Sequence, residues 1–170
     1  MQPTYLPWIG FFQLINSVDR FIFLDNVKLE KSSWQTRNKI LVNKNPSFIT
    51  VPVLGSRKQL ISEALINSET KWRKKHILTL EQTYSKYPFG EWMLNIIIPI
   101  INDLTINHLC ELNMKLIKTI CSELGIKCNF FLSSKIPTKS TKSMRLIEIC
   151  NYFGCINYYS PLGSKGYIET

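Results

Sequence analysis

Four polar side chains directly follow short apolar runs of the sequence. If those runs are strands of one mostly parallel sheet, their carboxyl ends meet at one edge, and the four side chains face a single crevice. Loops also begin at such positions, so polar residues are found there without any role in binding. Both interpretations stay open from the sequence alone. The runs are Phe21–Leu24, Phe130–Leu132 and Ile156–Tyr159, and the residues that follow them are Asp25, Ser133, Ser134 and Ser160.

The first forty residues contain most of the other side chains that could bind a ligand. Two prolines and a glycine fix the backbone before a short helix predicted over Ile9–Asn16, and a helix N-terminus attracts anions. Arg37 could hold a carboxylate or phosphate through two N–H groups, and Asn38 could bind an amide or a sugar hydroxyl. Tyr5 and Trp34 could stack on a sugar or a base. The alternative for the aromatic residues is a place in the core.

His76 stands beside the densest run of cations in the chain, Lys71 to Lys75. A histidine titrates near neutral pH, so His76 could act as a general base. The alternative, which the charge pattern favours, is a solvated helix face carrying both the cations and the imidazole.

Hydrophobic periodicity predicts the elements that position these residues. Helices are expected over 70–84 and 89–101, and two further helices each end at a glycine that precedes an apolar strand. The alternation predicts an α/β fold: a mostly parallel sheet covered by helices, with a helical elaboration in the middle of the chain. A pair of strands is also expected around the turn at 43–46. The expected buried residues of the last two helices are Leu116, Ile120, Cys121, Ile147, Cys150 and Phe153.

Size and charge limit the classes of function. The chain has 170 residues, fits one domain and carries a formal charge of +9, which favours an anionic partner: nucleic acid, anionic lipid or a phosphorylated small molecule. Nucleic acid is disfavoured because the aromatic residues lie in apolar segments and not along a basic stripe. The apolar segments are too short to span a bilayer, and the N-terminus lacks the pattern of a signal peptide, so a cytoplasmic protein is expected.

No cofactor or metal is indicated by the sequence. The five cysteines show no metal-ligand spacing and are expected to be reduced, and no phosphate-binding glycine loop or nucleophile elbow is present. The oligomeric state is not encoded in any pattern we recognise.

The N-terminal run from Gln2 to Ile40 resembles the WbqC-like family. Members of this family show Gln-Pro-x-Tyr/Phe-x-Pro, then Gly-Tyr/Phe-Phe, an Asp before an aromatic strand, Asp-x-Val, Lys, Trp and Arg-Asn. Later segments are similar as well, so that the resemblance covers nearly the whole chain. The residues that match in order are Gln2, Pro3, Pro7, Gly10, Phe12, Asp19, Asp25, Val27, Lys31, Trp34, Arg37 and Asn38.

The resemblance implies a role in surface-polysaccharide (O-antigen) biosynthesis, on an activated sugar. Together with the polar and aromatic N-terminus and the strand-end serines, it leads to the hypothesis of a transferase on a nucleotide-activated sugar or amino sugar. Members of the family commonly carry an apolar strand ahead of Gln-Pro and continue past the last tyrosine, so residues 1–170 are expected to be one domain that lacks its first strand and its C-terminal end. A nucleic-acid-binding module and a non-catalytic truncated remnant are the alternatives.

Within the transferase hypothesis, Asp25 and His76 are the candidate catalytic residues. The segment Ser140–Arg145 resembles the late Ser-Thr-x-x-Arg of nucleotidylyltransferases, whose paired histidines are absent here. The side chains Gln2, Tyr5, Asp25, Trp34, Arg37 and Asn38 are expected to converge on one concavity, with an acidic partner near Arg37. The candidate substrate-binding residues are Gln2, Tyr5, Lys31, Trp34, Arg37, Asn38, Ser133, Arg145 and Ser160.

Overall fold

The structure, a computed structural model, describes residues 1–30, 32–55 and 59–161. In these residues five α-helices and four β-strands are formed, with two short 3₁₀ helices at Ile61–Glu63 and Ser133–Lys135. The elements are α1 (Ile9–Asn16), β1 (Arg20–Phe23), β2 (Arg37–Val42), β3 (Asn45–Thr50), α2 (Trp72–Tyr84), α3 (Gly90–Asn102), α4 (Leu109–Glu123), β4 (Asn129–Leu132) and α5 (Lys142–Tyr152).

The strands form two separate pairs. β1 and β4 run parallel, with Phe21 opposite Phe130. β2 and β3 form an antiparallel hairpin whose two-residue turn, Asn43 and Lys44, has positive φ at both positions. Two positive φ angles in the turn fit the right-handed twist of the adjoining strands. The expected α/β class is therefore confirmed, with a small parallel sheet and an added hairpin.

The prediction of a strand over Ile156–Tyr159 was wrong, because this segment pairs with no strand in the described residues. Ile156 is 95% exposed, which removes the burial that would drive an apolar run into a sheet. Tyr158 and Tyr159 instead line a cavity beside β1. The parallel sheet thus contains two of the three strands expected from the sequence.

The core is built around α4. Apolar residues at helical spacing in α4 point inward, and α3 packs on α4 while α2 packs on α3, which forms the helical elaboration in the middle of the chain. On the other side, Phe21 and Phe23 of β1 pack against Phe11 and Phe130. The buried apolar residues of α4 are Leu109, Cys110, Leu112, Leu116, Ile117, Ile120 and Cys121.

α5 is less buried than its periodicity indicates. Ile149 is buried, whereas Cys150 and Phe153 are only partly covered. Ile147 was expected in the core and is 50% exposed. α5 packs only lightly on the other helices and strands, and Phe153, directly after it, contacts Phe131 of β4.

Two further expectations concern cysteines and membranes. All five cysteines are free thiols, with Cys110 and Cys121 buried. Among the described residues no helix has the length and apolar character needed to cross a membrane.

Candidate functional site

Three chain segments run in the same direction and end at the same edge. β1 and β4 are parallel, and Met1 pairs with the opposite edge of β1. The Met1 amino group donates to Ile22 O (2.7 Å), and the Met1 carbonyl accepts from Leu24 N (2.8 Å). This alternation of bonds is that of a parallel pair. The residues that follow the three segments therefore lie along one edge: Gln2, Asp25 and Ser133.

Asp25 joins the ends of β1 and β4. Its Oδ1 accepts a hydrogen bond from Ser133 Oγ (3.0 Å) and another from the Ser134 backbone N–H (2.9 Å). The residue is only 3% exposed, and a buried carboxylate needs such donors to offset its lost hydration. In the first turn of α4, the pKa of Cys110 is raised to about 12. Burial of the thiol is the main cause, and the negative charge of Asp25 adds a smaller effect. Asp25 therefore orients Ser133 and holds the two strand ends together.

Ser133 has one hydroxyl hydrogen and two acceptors within reach. Besides Asp25 Oδ1, its Oγ lies 2.5 Å from Asn26 Oδ1. The hydroxyl can donate to only one of them at a time. We call the group of Asp25, Asn26, Ser133, Ser134 and Arg145 the strand-end cluster. Because one hydroxyl hydrogen faces two acceptor oxygens, this cluster is rich in hydrogen-bond acceptors.

Arg145 brings the positive charge of the strand-end cluster. It extends from the second turn of α5 to the main-chain and side-chain oxygens of Asn26. Its Nε is buried and has no hydrogen-bond partner in the described part of the chain. An unsatisfied buried donor on a cation is costly, and a ligand that supplied an anionic oxygen would remove the cost.

Two predicted site residues, Gln2 and Tyr5, lie in the N-terminal turn before α1, and a third, Asn38 of β2, bonds to that turn. Gln2 Oε1 accepts from Gln35 Nε2 (2.9 Å), the Asn38 amide donates to the carbonyls of Tyr5 and Leu6, and Tyr5 N donates to Trp34 O (2.9 Å). Gln2 is exposed at the strand-end edge, whereas Tyr5 is fully buried and has no free face for stacking.

Asn113 is a structural residue that the sequence analysis missed. It is 0% exposed on α4, and its amide donates to Pro3 O (3.1 Å) and Gln35 O (2.8 Å). One side chain thus ties the N-terminal turn to the segment before β2. A polar residue in the buried stripe of α4, between Leu112 and Leu116, is the signal that could have identified it.

His76 is part of the core and not of a solvated face. It is 4% exposed, and its Nδ1 and Tyr5 Oη share a hydrogen bond of 3.0 Å. Burial lowers the pKa of His76 to about 4, with a smaller opposing effect of the Thr50 backbone. The imidazole is therefore neutral at physiological pH, and its contacts assign it to positioning Tyr5.

The buried imidazole predicts a loss of stability in mild acid. In the unfolded chain a histidine has a pKa near 6.5, so below that pH the unfolded state binds a proton that the native state does not, and unfolding becomes easier. Between pH 7.5 and 5 this histidine should cost about 2 kcal/mol of unfolding free energy. Urea unfolding of the wild type and His76→Gln at both pH values measures the effect. An equal loss in both proteins would contradict it.

Trp34, which precedes the hairpin, and Arg37, at the start of β2, lie beside Phe48 of β3. The Arg37 guanidinium is 4.1 Å from the Phe48 ring centre, and the Trp34 ring is 6.4 Å from it. The expected acidic partner of Arg37 is not found, since no ion pair of Arg37 is formed in the described residues. Trp34 is 54% exposed, so this aromatic pair faces solvent.

The last two predicted substrate-binding residues are Lys31 and Ser160. Lys31 lies outside the described residues. Ser160 is half-buried after a segment that does not form a strand, so it does not occupy the strand end expected for it. No group of three or more histidine, cysteine or acidic side chains that could hold a metal is present in the described ranges.

Known proteins are similar to this chain over nearly its whole length. The sequence profile described as "WbqC-like protein family" matches residues 2–170. A protein of Mycobacterium tuberculosis, described as "Uncharacterized protein Rv1507c", is 33% identical over 171 residues, which cover 99% of this chain and 74% of that protein. No solved structure matches. The chain therefore belongs to the WbqC-like protein family.

Proposed function

We propose that the strand-end cluster binds the phosphate groups of a nucleotide-activated sugar or amino sugar, and that the protein is a transferase of surface-polysaccharide biosynthesis. The observation that supports this most directly is Arg145, a cation at the carboxyl ends of parallel strands. Its Nε is buried and has no hydrogen-bond partner among the described residues. Ligands of open α/β sheets bind at that edge.

The cluster also fits the charge that develops in such a transfer. An acceptor oxygen or nitrogen forms a bond to the anomeric carbon while the bond from that carbon to the diphosphate breaks. The leaving diphosphate takes the electron pair and gains negative charge, and the acceptor's proton passes to solvent. A guanidinium held beside the leaving group stabilises that charge. In this proposal Asp25 is a positioning residue, because its Oδ1 already accepts two hydrogen bonds from Ser133 and Ser134.

Thermal unfolding in the presence of nucleotides tests the proposal. UDP, GDP, CMP, dTDP and their common sugar conjugates are added separately at millimolar concentration to the full chain. A ligand that binds only the native state raises the Tm by mass action. At least one nucleotide should raise it in a saturable way. No shift with any of them would remove the basis of the proposal.

A second candidate, binding of single-stranded nucleic acid, has support from the hairpin. Trp34 and Phe48 are both about half exposed, and Arg37 and Lys39 lie within 5.2 Å of the Phe48 ring centre. Exposed aromatic rings beside cations are what base stacking on a charged groove requires. A gel shift with single-stranded DNA that weakens steeply with salt and is lost in Trp34→Ala would favour it.

A further inference from the structure

The turn that ends α5 brings two cysteines together. Gly154 has a positive φ of 61°, and its N–H donates to Asn151 O (3.1 Å), while the Cys155 N–H donates to Cys150 O (2.9 Å). These two bonds define the Schellman motif, in which the third-last helical residue and the second residue after the cap commonly touch through their side chains. In α5 these two positions are occupied by Cys150 and Cys155.

The backbone geometry of this turn permits a disulfide between the two thiols, which are free in the structure. The hydrogen bond from Cys155 N to Cys150 O, together with the covalent bonds on either side of it, keeps the two Cα atoms within about 7 Å of each other. That distance is the upper limit for a bridged pair. Burial raises the pKa of Cys150 and the charge of Cys155 adds a smaller effect, so the two sulfur atoms are within electrostatic reach of each other.

Both thiols can be reached by a small reagent. They are half-buried, and both line the cavity of about 340 Å³ beside β1. One water takes up roughly 30 Å³ in the liquid, and a peroxide molecule is only slightly larger. Asp25, Ser133 and Arg145 do not line this cavity, so the cysteine pair is separate from the strand-end cluster.

Arg20 distinguishes Cys155 from Cys150. Its Nη1 donates to Cys155 Sγ (3.2 Å) and also to Phe153 O (2.9 Å), so that a second bond holds the guanidinium against this sulfur. Reactive cysteines are typically found in electropositive and partly exposed surroundings. Burial meanwhile makes the thiolate of Cys150 harder to form. Cys155 is therefore the nucleophile of the pair.

We propose that Cys150 and Cys155 are a redox-sensitive pair, which hydrogen peroxide converts into a disulfide at the end of α5. In the first step the Cys155 thiolate attacks one peroxide oxygen, the O–O bond breaks, and hydroxide leaves and is protonated to water. Cys155 is then a sulfenic acid. In the second step the Cys150 thiolate attacks this sulfur, the S–S bond forms, the S–O bond breaks, and hydroxide again leaves as water. Two thiols and one peroxide thus give one disulfide and two waters, with two electrons passing from sulfur to oxygen.

The end of α4 provides an internal control, because it has the same turn with only one cysteine. Gly125 has a φ of 69°, and the Ile126 N–H donates to Cys121 O (2.8 Å), which places Ile126 where α5 has Cys155. Cys128 lies near Cys121, but burial raises the pKa of both thiols. Peroxide should therefore spare Cys121 and Cys128 under conditions that oxidise the pair in α5.

The test treats the reduced full chain with a small excess of hydrogen peroxide, then alkylates the remaining thiols and digests the chain with trypsin. Residues 146–165 form one tryptic peptide, which contains Cys150 and Cys155 and no other cysteine. This peptide should lose two hydrogens and resist alkylation. The peptides of Cys110, Cys121 and Cys128 should remain alkylated, with oxidation at least about tenfold slower.

Single substitutions separate the roles within the pair. In Cys150→Ser, dimedone should trap a sulfenic acid at Cys155, whereas in Cys155→Ser it should trap little at Cys150. Arg20→Gln should slow disulfide formation by about tenfold, and Arg20→Lys, which keeps the charge, should slow it less.

Three results would overturn the proposal: a peptide 146–165 that is still fully alkylated after peroxide treatment, a disulfide between Cys121 and Cys128 that forms as fast, or equal trapping of sulfenic acid at both cysteines of the pair. An Arg20→Gln variant that reacts at the wild-type rate would overturn the assignment of Cys155 as the nucleophile.

Discussion

Arg145→Gln is expected to weaken binding of the nucleotide ligand by about tenfold to a hundredfold. The variant loses a charge-assisted contact to phosphate worth roughly 1.5–3 kcal/mol. Glutamine can still bond Asn26, so the unfolding free energy should change much less than the affinity. Isothermal titration calorimetry with the nucleotide that gives the largest thermal shift measures the affinity.

Two matched variants make this result specific. Lys74→Gln removes one positive charge from an exposed position on α2 and should bind like the wild type. Arg145→Lys keeps the charge but not the planar fork of donors, and should fall between the two. If Lys74→Gln weakens binding as much as Arg145→Gln, only the net charge of the protein matters, and the assignment of Arg145 fails.

Arg73→Met should lower the unfolding free energy by about 3 kcal/mol, the largest effect on stability that we expect. The Arg73 guanidinium is buried and donates to Ile101 O (2.5 Å) and Ile106 O (2.7 Å), at the end of α3 and in the loop after it. Its removal leaves two carbonyls without partners, at roughly 1–3 kcal/mol each, partly offset because a buried charge is also removed. Urea unfolding at pH 7.5 measures the difference.

The neighbouring Lys74→Met is the matched control, because it makes the same kind of change on the exposed face of α2. It should stay within about 0.5 kcal/mol of the wild type. A loss in Arg73→Met that is no larger than this would mean that the two carbonyls find other donors.

The sequence predicted that Asp25 and Ser133 lie together because the pattern that places them is local. An apolar run that stops at Asp25, and another that stops at Ser133, were enough to place both residues at one edge once the strands were taken as parallel. The structure joins them directly, through the hydrogen bond from Ser133 to Asp25. Arg145 entered the site through a similarity of motif, and its contact with Asn26 places it in the same cluster.

The roles of Tyr5, His76 and Asn38 could not be predicted, because they depend on contacts between residues far apart in sequence. Tyr5 and His76 are 71 positions apart and share one buried hydrogen bond. Helical periodicity alone does not show that the face carrying His76 packs on the N-terminal turn. The motif residues Gln2 and Asn38 fix that turn, so part of what resembles a binding motif keeps the turn in place.

The strand at Ile156–Tyr159 was wrong for a related reason. The segment has an apolar composition suited to a strand, but composition does not identify a pairing partner. In the structure Met1 bonds to the edge of β1, and Tyr158 and Tyr159 line a cavity beside that strand. Neither tyrosine pairs with a strand of the described residues.

The most direct test of the central claim is the site at which a nucleotide binds. In a nitrogen-15 labelled sample, the Arg145 Nε–H, the Ser134 backbone N–H, the Trp34 indole N–H and the Ile22 backbone N–H are followed while UDP, GDP, CMP or dTDP is added. We expect saturable shifts at Arg145 and Ser134 with at least one of the four, and little change at Trp34 and Ile22. If the largest shifts occur at Trp34 or Ile22 while Arg145 and Ser134 remain unchanged, the strand-end cluster is not the phosphate site.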